Sequence, residues 1–155
     1  MNRVQLNDLA DTEKFGIALA ELARPGDLIC LQGELGAGKT TLVQAIARGL
    51  GVEEWVNSPS FAILHEYSGR LPLYHMDFYR LNSSDEIIAI GLDEYFASKG
   101  LTVIEWAERA EDILPPEKLC LSLHHTGEYS RLIKITASAG FGDRLEPLLR
   151  AFSAP

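Results

Sequence analysis

The chain has little cysteine, little positive charge and no long apolar run, and each shortage removes a class of protein. Two cysteines among 155 residues, without neighbouring ligand spacing, argue against a disulfide and a thiolate metal site. Cys30 and Cys120 both fall in apparent strands and read as buried reduced thiols. Fourteen Lys and Arg against 22 Asp and Glu leave a formal net charge of −8, which argues against a surface that grips nucleic acid by neutralising phosphates. No stretch approaches the roughly 18 apolar residues of a membrane span, and Met1 to Asp8 has no basic region followed by an apolar core. A cytoplasmic protein is expected, of one domain over residues 1–155. There is no N-K-x-D to read guanine and no D-x-x-G after a strand, so a Ras-like GTPase is disfavoured and adenine is the expected base.

What is present is Gly33-Glu34-Leu35-Gly36-Ala37-Gly38-Lys39-Thr40, which completes the phosphate-loop pattern G-x-x-x-x-G-K-[ST]. Backbone N–H groups of such a loop curl around nucleotide phosphates, and the following helix aims its positive N-terminal end at them. Lys39 is expected to reach the β- and γ-phosphates, Thr40 to supply a hydroxyl to Mg²⁺, and Thr41 to touch the α-phosphate. The pattern has force only between a buried strand and a helix. Leu28-Ile29-Cys30-Leu31 is a short apolar run of the kind a doubly covered parallel strand needs. After the glycines, Leu42, Val43, Ile46 and Leu50 form a helical stripe over 41–50, stopped at Gly51.

The rest of the chain predicts an edge strand at Val4 and Leu6, a helix from about residue 7 or 8 to 23, and an irregular stretch over 52–60. A hairpin follows over 61–67 and 71–77. Ser83 and Glu86 make a capping box opening a helix toward Ile90, with another turn or two over 92–98. A second buried strand, 101–104, ends at Glu105; a short helix, 108–114, stops at Pro115-Pro116. Strands over 118–124 and 131–137 and a helix over 145–152 complete the chain. The sum is an α/β, P-loop NTPase-like three-layer fold, with a mixed parallel and antiparallel central sheet flanked by helices.

A phosphate loop needs acidic partners at the carboxyl ends of neighbouring strands. Asp77 and Glu105 occupy such ends. The shorter Asp77 suits the metal or its water shell, and the longer Glu105 suits polarising the attacking water, though either is able to face Mg²⁺. Ser58 and Ser60 flank Pro59 in the irregular loop, where a hydroxyl touching Mg²⁺ or the γ-phosphate makes a switch; by spacing alone an ordinary polar turn is the simpler reading. His75 lies two residues before Asp77 on the same strand face, and a hydrogen-bonded structural histidine outweighs a metal pair there. His124 and His125 carry no sharper reading. Trp106 is either a stacking platform for a base, a partner contact or a core aromatic. A small-molecule kinase remains open, although the arginines are scattered and only Arg80 lies near a candidate site residue.

Four blocks in order, Gly33 to Thr41, Ser58-Pro59-Ser60-Phe61, His75-Met76-Asp77-Phe78-Tyr79-Arg80-Leu81 and Ile104-Glu105-Trp106, resemble the bacterial TsaE (YjeE) family from about Thr12 to Glu108. That resemblance implies a small Mg²⁺-dependent ATPase needed for threonylcarbamoyladenosine formation in tRNA beside the anticodon. It implies TsaB and TsaD as partners, with TsaD transferring the group and tRNA held through the complex. It assigns Lys39 and Thr40 to phosphate and Mg²⁺, Asp77 to the aspartate of H-x-D-x-Y-R, and Glu105 to the acid of I-E-W. Ser60 stands where the family usually has threonine, which keeps the hydroxyl and loosens its rotamer. The alternatives are a stand-alone phosphotransferase and a nucleotide-gated module that barely hydrolyses ATP.

Overall fold

The computed structural model describes residues 2–57, 64–81, 85–91, 93–96 and 98–152. A seven-stranded sheet runs in the order β1-β7-β6-β2-β5-β4-β3, with β1 Asn2–Leu6, β2 Leu28–Gln32, β3 Leu64–Tyr67, β4 Leu73–Asp77, β5 Leu101–Glu105, β6 Leu119–His125 and β7 Arg131–Ala137. The four inner strands β6, β2, β5 and β4 are mutually parallel, whereas β7 and β3 join antiparallel and β1 pairs antiparallel with β7. The expected mixed sheet is therefore present. β2 sits at its centre with connections departing to both sides, the topological switch point where α/β proteins place ligands.

Burial explains the inner strands. All five residues of β5 and the first four of β2 are buried, as a strand covered on both faces requires. Ile29, Leu31, Leu73 and Val103 point into one apolar layer with helices α1 (Leu9–Leu22), α2 (Lys39–Gly49) and α5 (Gly142–Phe152). Leu28, Cys30, Met76 and Ile104 point into the other. That second layer is closed by Tyr95 and Phe96 of α4 (Asp93–Phe96), which follows α3 (Asp85–Ile90), and by the 3₁₀ segment Ala107–Ile113. None of the described helices is long and apolar enough to cross a membrane.

Two helix contacts fix the position of the glycine loop. Asp8 caps α1, its Oδ1 accepting the Asp11 N–H at 2.8 Å, as a residue with a side-chain acceptor at that position does. α1 then lies directly on α2 through small residues. A Cβ at Gly16 would stand 2.3 Å from the Cβ of Ala45, and one at Gly49 would stand 2.6 Å from that of Ala20. Both are closer than carbon atoms tolerate, so larger residues would push α2 away from the sheet and carry the loop with it.

Several expected boundaries shift. α2 begins at Lys39 rather than 41, so the lysine of the loop is already helical. The helix expected over 108–114 is a 3₁₀ segment, Ala107–Ile113, broken by non-helical backbone at Ala110, φ −138° and ψ 28°. α5 starts at Gly142, three residues before the expected 145, and contains Pro147. Ser83 of the expected capping box lies outside the described residues, as do Ser58 and Ser60.

Candidate functional site

The loop after β2 turns on glycines that no other residue replaces. Gly33 has a φ of 146°, and a Cβ there would come within 2.7 Å of the Leu123 carbonyl; Gly38, at φ 99°, opens α2 in the left-handed region. Both lie in backbone space that L side chains rarely adopt. Leu35 projects into solvent at 74% exposure, while Ala37 is buried at 1%. The loop is held from outside by Arg131 on β7, whose Nε donates to the Ala37 carbonyl at 2.8 Å. Its Nη1 donates to the carbonyls of Gly127, Glu128 and Ser130 at 3.1, 3.2 and 2.7 Å.

Lys39 is only 4% exposed. Its Nζ donates to the carbonyls of Gly33 at 2.5 Å and Glu34 at 3.0 Å, and stands 4.0 Å from the centroid of the Trp106 ring. Burial pushes this ammonium below the ordinary lysine value, opposed by the negative charges of Glu105, Glu108 and Asp77. A partly desolvated cation between carbonyl dipoles and an aromatic face is primed for an anion, since any phosphate oxygen is a stronger partner than either.

The neighbouring residue ties the loop to the next strand. Thr40 Oγ1 lies 2.9 and 3.0 Å from the two carboxylate oxygens of Glu105, at the end of β5 alongside β2. Glu105 is 3% exposed, and its Oε2 also accepts a hydrogen bond from His75 Nε2 at 2.6 Å. His75 is thus the hydrogen-bonded histidine expected, but its partner is a site residue. Asp77 stands in register with Glu105 across β4 and β5; it is half-buried, and its Oδ1 accepts the Tyr79 N–H at 2.9 Å.

Trp106 follows Glu105 with φ 58° and ψ 40°, the one non-glycine residue with positive φ among those described. A bulky side chain there is strained by about 1–3 kcal/mol and persists only where the surroundings impose it. The consequence is placement. The turn lays the indole over Lys39, 4.9 Å from the Tyr79 ring, with the Arg109 guanidinium 5.7 Å away. Trp106 therefore stands at the lysine end of the loop. Two residues beyond Lys39, Thr41 is exposed and borders a groove lined by Gly38, Leu9, Tyr129 and Arg131.

The structure thus brings together the loop from Gly33 to Thr41, Glu105, Asp77 and Trp106. Cys30 and Cys120 take no part: they face each other in register on β2 and β6 as free thiols, Cys30 buried and Cys120 half-buried. His124 hydrogen-bonds Ser122 Oγ at 3.0 Å on the exposed end of β6. Sequence reasoning missed Arg131, Leu9 and Tyr129, since a single arginine and two isolated apolar residues carry no motif. Tyr79 and Arg109 were also unassigned, although Tyr79 lies inside the H-x-D-x-Y-R block.

Residues 6–133 match the family described as Threonylcarbamoyl adenosine biosynthesis protein TsaE. The chain belongs to the TsaE family. The match extends past Glu108 through β6 and the start of β7, so it includes Arg131, which the four sequence blocks did not. A relative from Bacillus subtilis named "tRNA threonylcarbamoyladenosine biosynthesis protein TsaE" is 44% identical over 144 residues, 92% of this chain and 88% of that protein. Relatives bearing the same name in Treponema pallidum and Haemophilus influenzae are 42% and 31% identical, covering 81% and 90% of this chain and 93% and 90% of their own lengths. The crystal structure of Bacillus subtilis YdiB superposes with a TM-score of 0.79 at 37% identity, over 96% of this chain and 94% of that one. TsaE membership and the shared α/β fold agree with the ordered blocks read from the sequence.

Proposed function

We propose that this chain is an Mg²⁺-dependent ATPase that serves threonylcarbamoyladenosine formation in tRNA next to the anticodon, working with TsaB and TsaD rather than transferring the group itself. The observation that carries the reading is the contact of Thr40 Oγ1 with both oxygens of Glu105, at 2.9 and 3.0 Å. It puts a hydroxyl and a buried carboxylate, both hard oxygen donors, at the mouth of a phosphate-type loop. That set fits Mg²⁺, which takes one or two protein oxygens and completes its octahedron with phosphates and water. Bound there, the ion would neutralise charge developing on the transferred phosphoryl group.

The chain's own residues divide the remaining work. Backbone N–H groups of the loop and the start of α2 receive the phosphates, and Lys39 exchanges the carbonyls of Gly33 and Glu34 for phosphate oxygens. Both oxygens of Glu105 are engaged by Thr40 and His75, which suits holding the metal side. Asp77 stands opposite Glu105 on the adjacent strand end, close enough for either carboxylate to serve the metal's water shell or the attacking water. Thr41 meets the α-phosphate, so the base extends into the groove of Leu9, Tyr129 and Arg131, leaving Trp106 to cover the phosphate end. The acidic surface is consistent with tRNA being held by the partners.

The test is phosphate release from ATP by the chain alone and with TsaB plus TsaD, repeated with Lys39→Ala and Glu105→Ala. We expect stimulation by the partners, and losses of at least about a hundredfold in both variants, as for removal of a charge-stabilising group. No stimulation, together with phosphorylation of a metabolite, would make the chain a kinase. Unchanged turnover in Glu105→Ala would make it a nucleotide-gated module.

A further inference from the structure

We propose that His75 is a positioning residue: from beneath the strand ends it sets the orientation in which the Glu105 carboxylate faces Thr40 and Mg²⁺. The proposal rests on the reading of Thr40 and Glu105 as the Mg²⁺-ATP site. His75 has no solvent exposure, and its Nε2 lies 2.6 Å from Glu105 Oε2. The carboxylate only accepts, so Nε2 carries the proton.

Register explains the reach. On the parallel pair β4 and β5, Asp77 is opposite Glu105 and His75 opposite Val103, so His75 projects from the same face one pleat earlier. An imidazole spans the diagonal to Glu105. The next residue on that face, Leu73, is apolar and fully buried, so the face is ordinary core except where it meets the carboxylate.

Energetics argue that the bond is a requirement. Glu105 is 3% exposed, and a carboxylate withdrawn from water must accept from protein donors. Thr40 has one hydroxyl proton for two oxygens, and the second oxygen depends on His75. The other ring nitrogen, Nδ1, is buried with no partner among the described residues. An imidazole that served only to fill space would leave two polar atoms to be satisfied where leucine leaves none. The bond at Nε2 accounts for an imidazole at this buried position.

The test is a titration of Mg²⁺ into the full chain with a fluorescent ATP analogue, read as nucleotide affinity with metal and in excess EDTA. His75→Leu removes the donor at similar volume; His75→Gln returns an N–H near the position of Nε2. We expect His75→Leu to weaken the apparent Mg²⁺ affinity about 10- to 100-fold, as loss of a partner behind a metal ligand does, and His75→Gln to recover it to within about threefold. Affinity in EDTA should move less than about twofold in either variant, because the loop is untouched. Should His75→Leu not fold, His75→Asn, whose amide is too short to reach Glu105, replaces it with the same expectation. Equal weakening with and without metal, no weakening, or no recovery in His75→Gln overturns the positioning role. If the unsubstituted chain shows no response to Mg²⁺, the metal site itself is wrong and the positioning role falls with it.

Discussion

Arg131→Met offers the sharpest test of how the glycine loop keeps its shape. The substitution preserves a long aliphatic stem against the groove but removes four donated hydrogen bonds. Three of these go to carbonyls of Gly127, Glu128 and Ser130 in the β6–β7 turn, where the first two residues are exposed and water replaces the donor at little cost. The fourth is different. Nε donates at 2.8 Å to the carbonyl of Ala37, a residue only 1% exposed, and losing a charged donor to a buried carbonyl costs about 2 kcal/mol. If the whole chain bears that cost, the melting temperature falls by about 4–8 °C for a protein of this size. If instead the free loop relaxes to escape it, the same energy appears on binding as an affinity loss of up to about thirtyfold. Differential scanning calorimetry reads the first quantity, and calorimetric titration reads the second. Inorganic tripolyphosphate is titrated beside ATP, because it has no base and so separates the loop from the groove that Arg131 also lines. We expect a loss in one or both quantities, with any affinity loss as large for tripolyphosphate as for ATP. Unchanged melting with tripolyphosphate affinity within about twofold of the unsubstituted chain would refute the argument.

Two further outcomes follow from the titrating groups. Lys39 is held below the ordinary lysine value by burial, so the charge that attracts phosphate is fully present below its lowered pKa and lost as pH rises through it. Tripolyphosphate affinity should therefore fade at a lower pH than an exposed lysine would give, and Lys39→Arg, which stays charged, should lack that alkaline loss; superimposable profiles would clear Lys39 of the effect. The Cys120 thiol is lowered to about 7 by the hydrogen bond from Cys30 and by Lys118, while Cys30 is pushed far up by the same thiol pair and by burial. Iodoacetamide at about pH 8 should alkylate Cys120 and spare Cys30 in the native chain, as thiolate character dictates; peptide mapping that finds Cys30 modified first would refute this order.

The fold was legible where the sequence repeats a period or breaks it sharply. The runs at Leu28 and Leu101 are continuous and apolar because both faces of those strands are covered, and Gly51 follows the helical stripe it ends. Less legible was whatever depends on a neighbour distant in sequence. Gly16 and Gly49 look like weak points inside helices by propensity alone, yet each lies where the backbone or Cβ of the opposing helix leaves no room. The segment over 107–113 has helical composition, but Trp106 enters it in a left-handed turn and Ala110 breaks it, so only 3₁₀ turns form. The start of α2 at Lys39 was hidden because glycines mask helical periodicity until the first apolar residue of the stripe, Leu42.

At the site, the motif residues were legible because their chemistry is carried by type and spacing, and their supports were not, because support is carried by geometry. Side-chain length alone points Glu105 toward the attacking water, with either carboxylate able to face Mg²⁺. In the fold that length reaches Thr40 and His75, contacts that side-chain length alone does not reveal. Trp106 was ambiguous between base, partner and core for a similar reason: its position is decided by one strained dihedral pair, φ 58° and ψ 40°, that no composition signals. The strain has a physical return. An extended residue after Glu105 would continue β5 and point its side chain to the opposite face of the sheet, away from Lys39. The left-handed turn ends the strand and brings the ring within 4.0 Å of the ammonium, where it shields the charge from water. The acid that contacts Thr40 and the ring that covers Lys39 are consecutive residues, and one backbone turn sends their side chains to different parts of the same glycine loop.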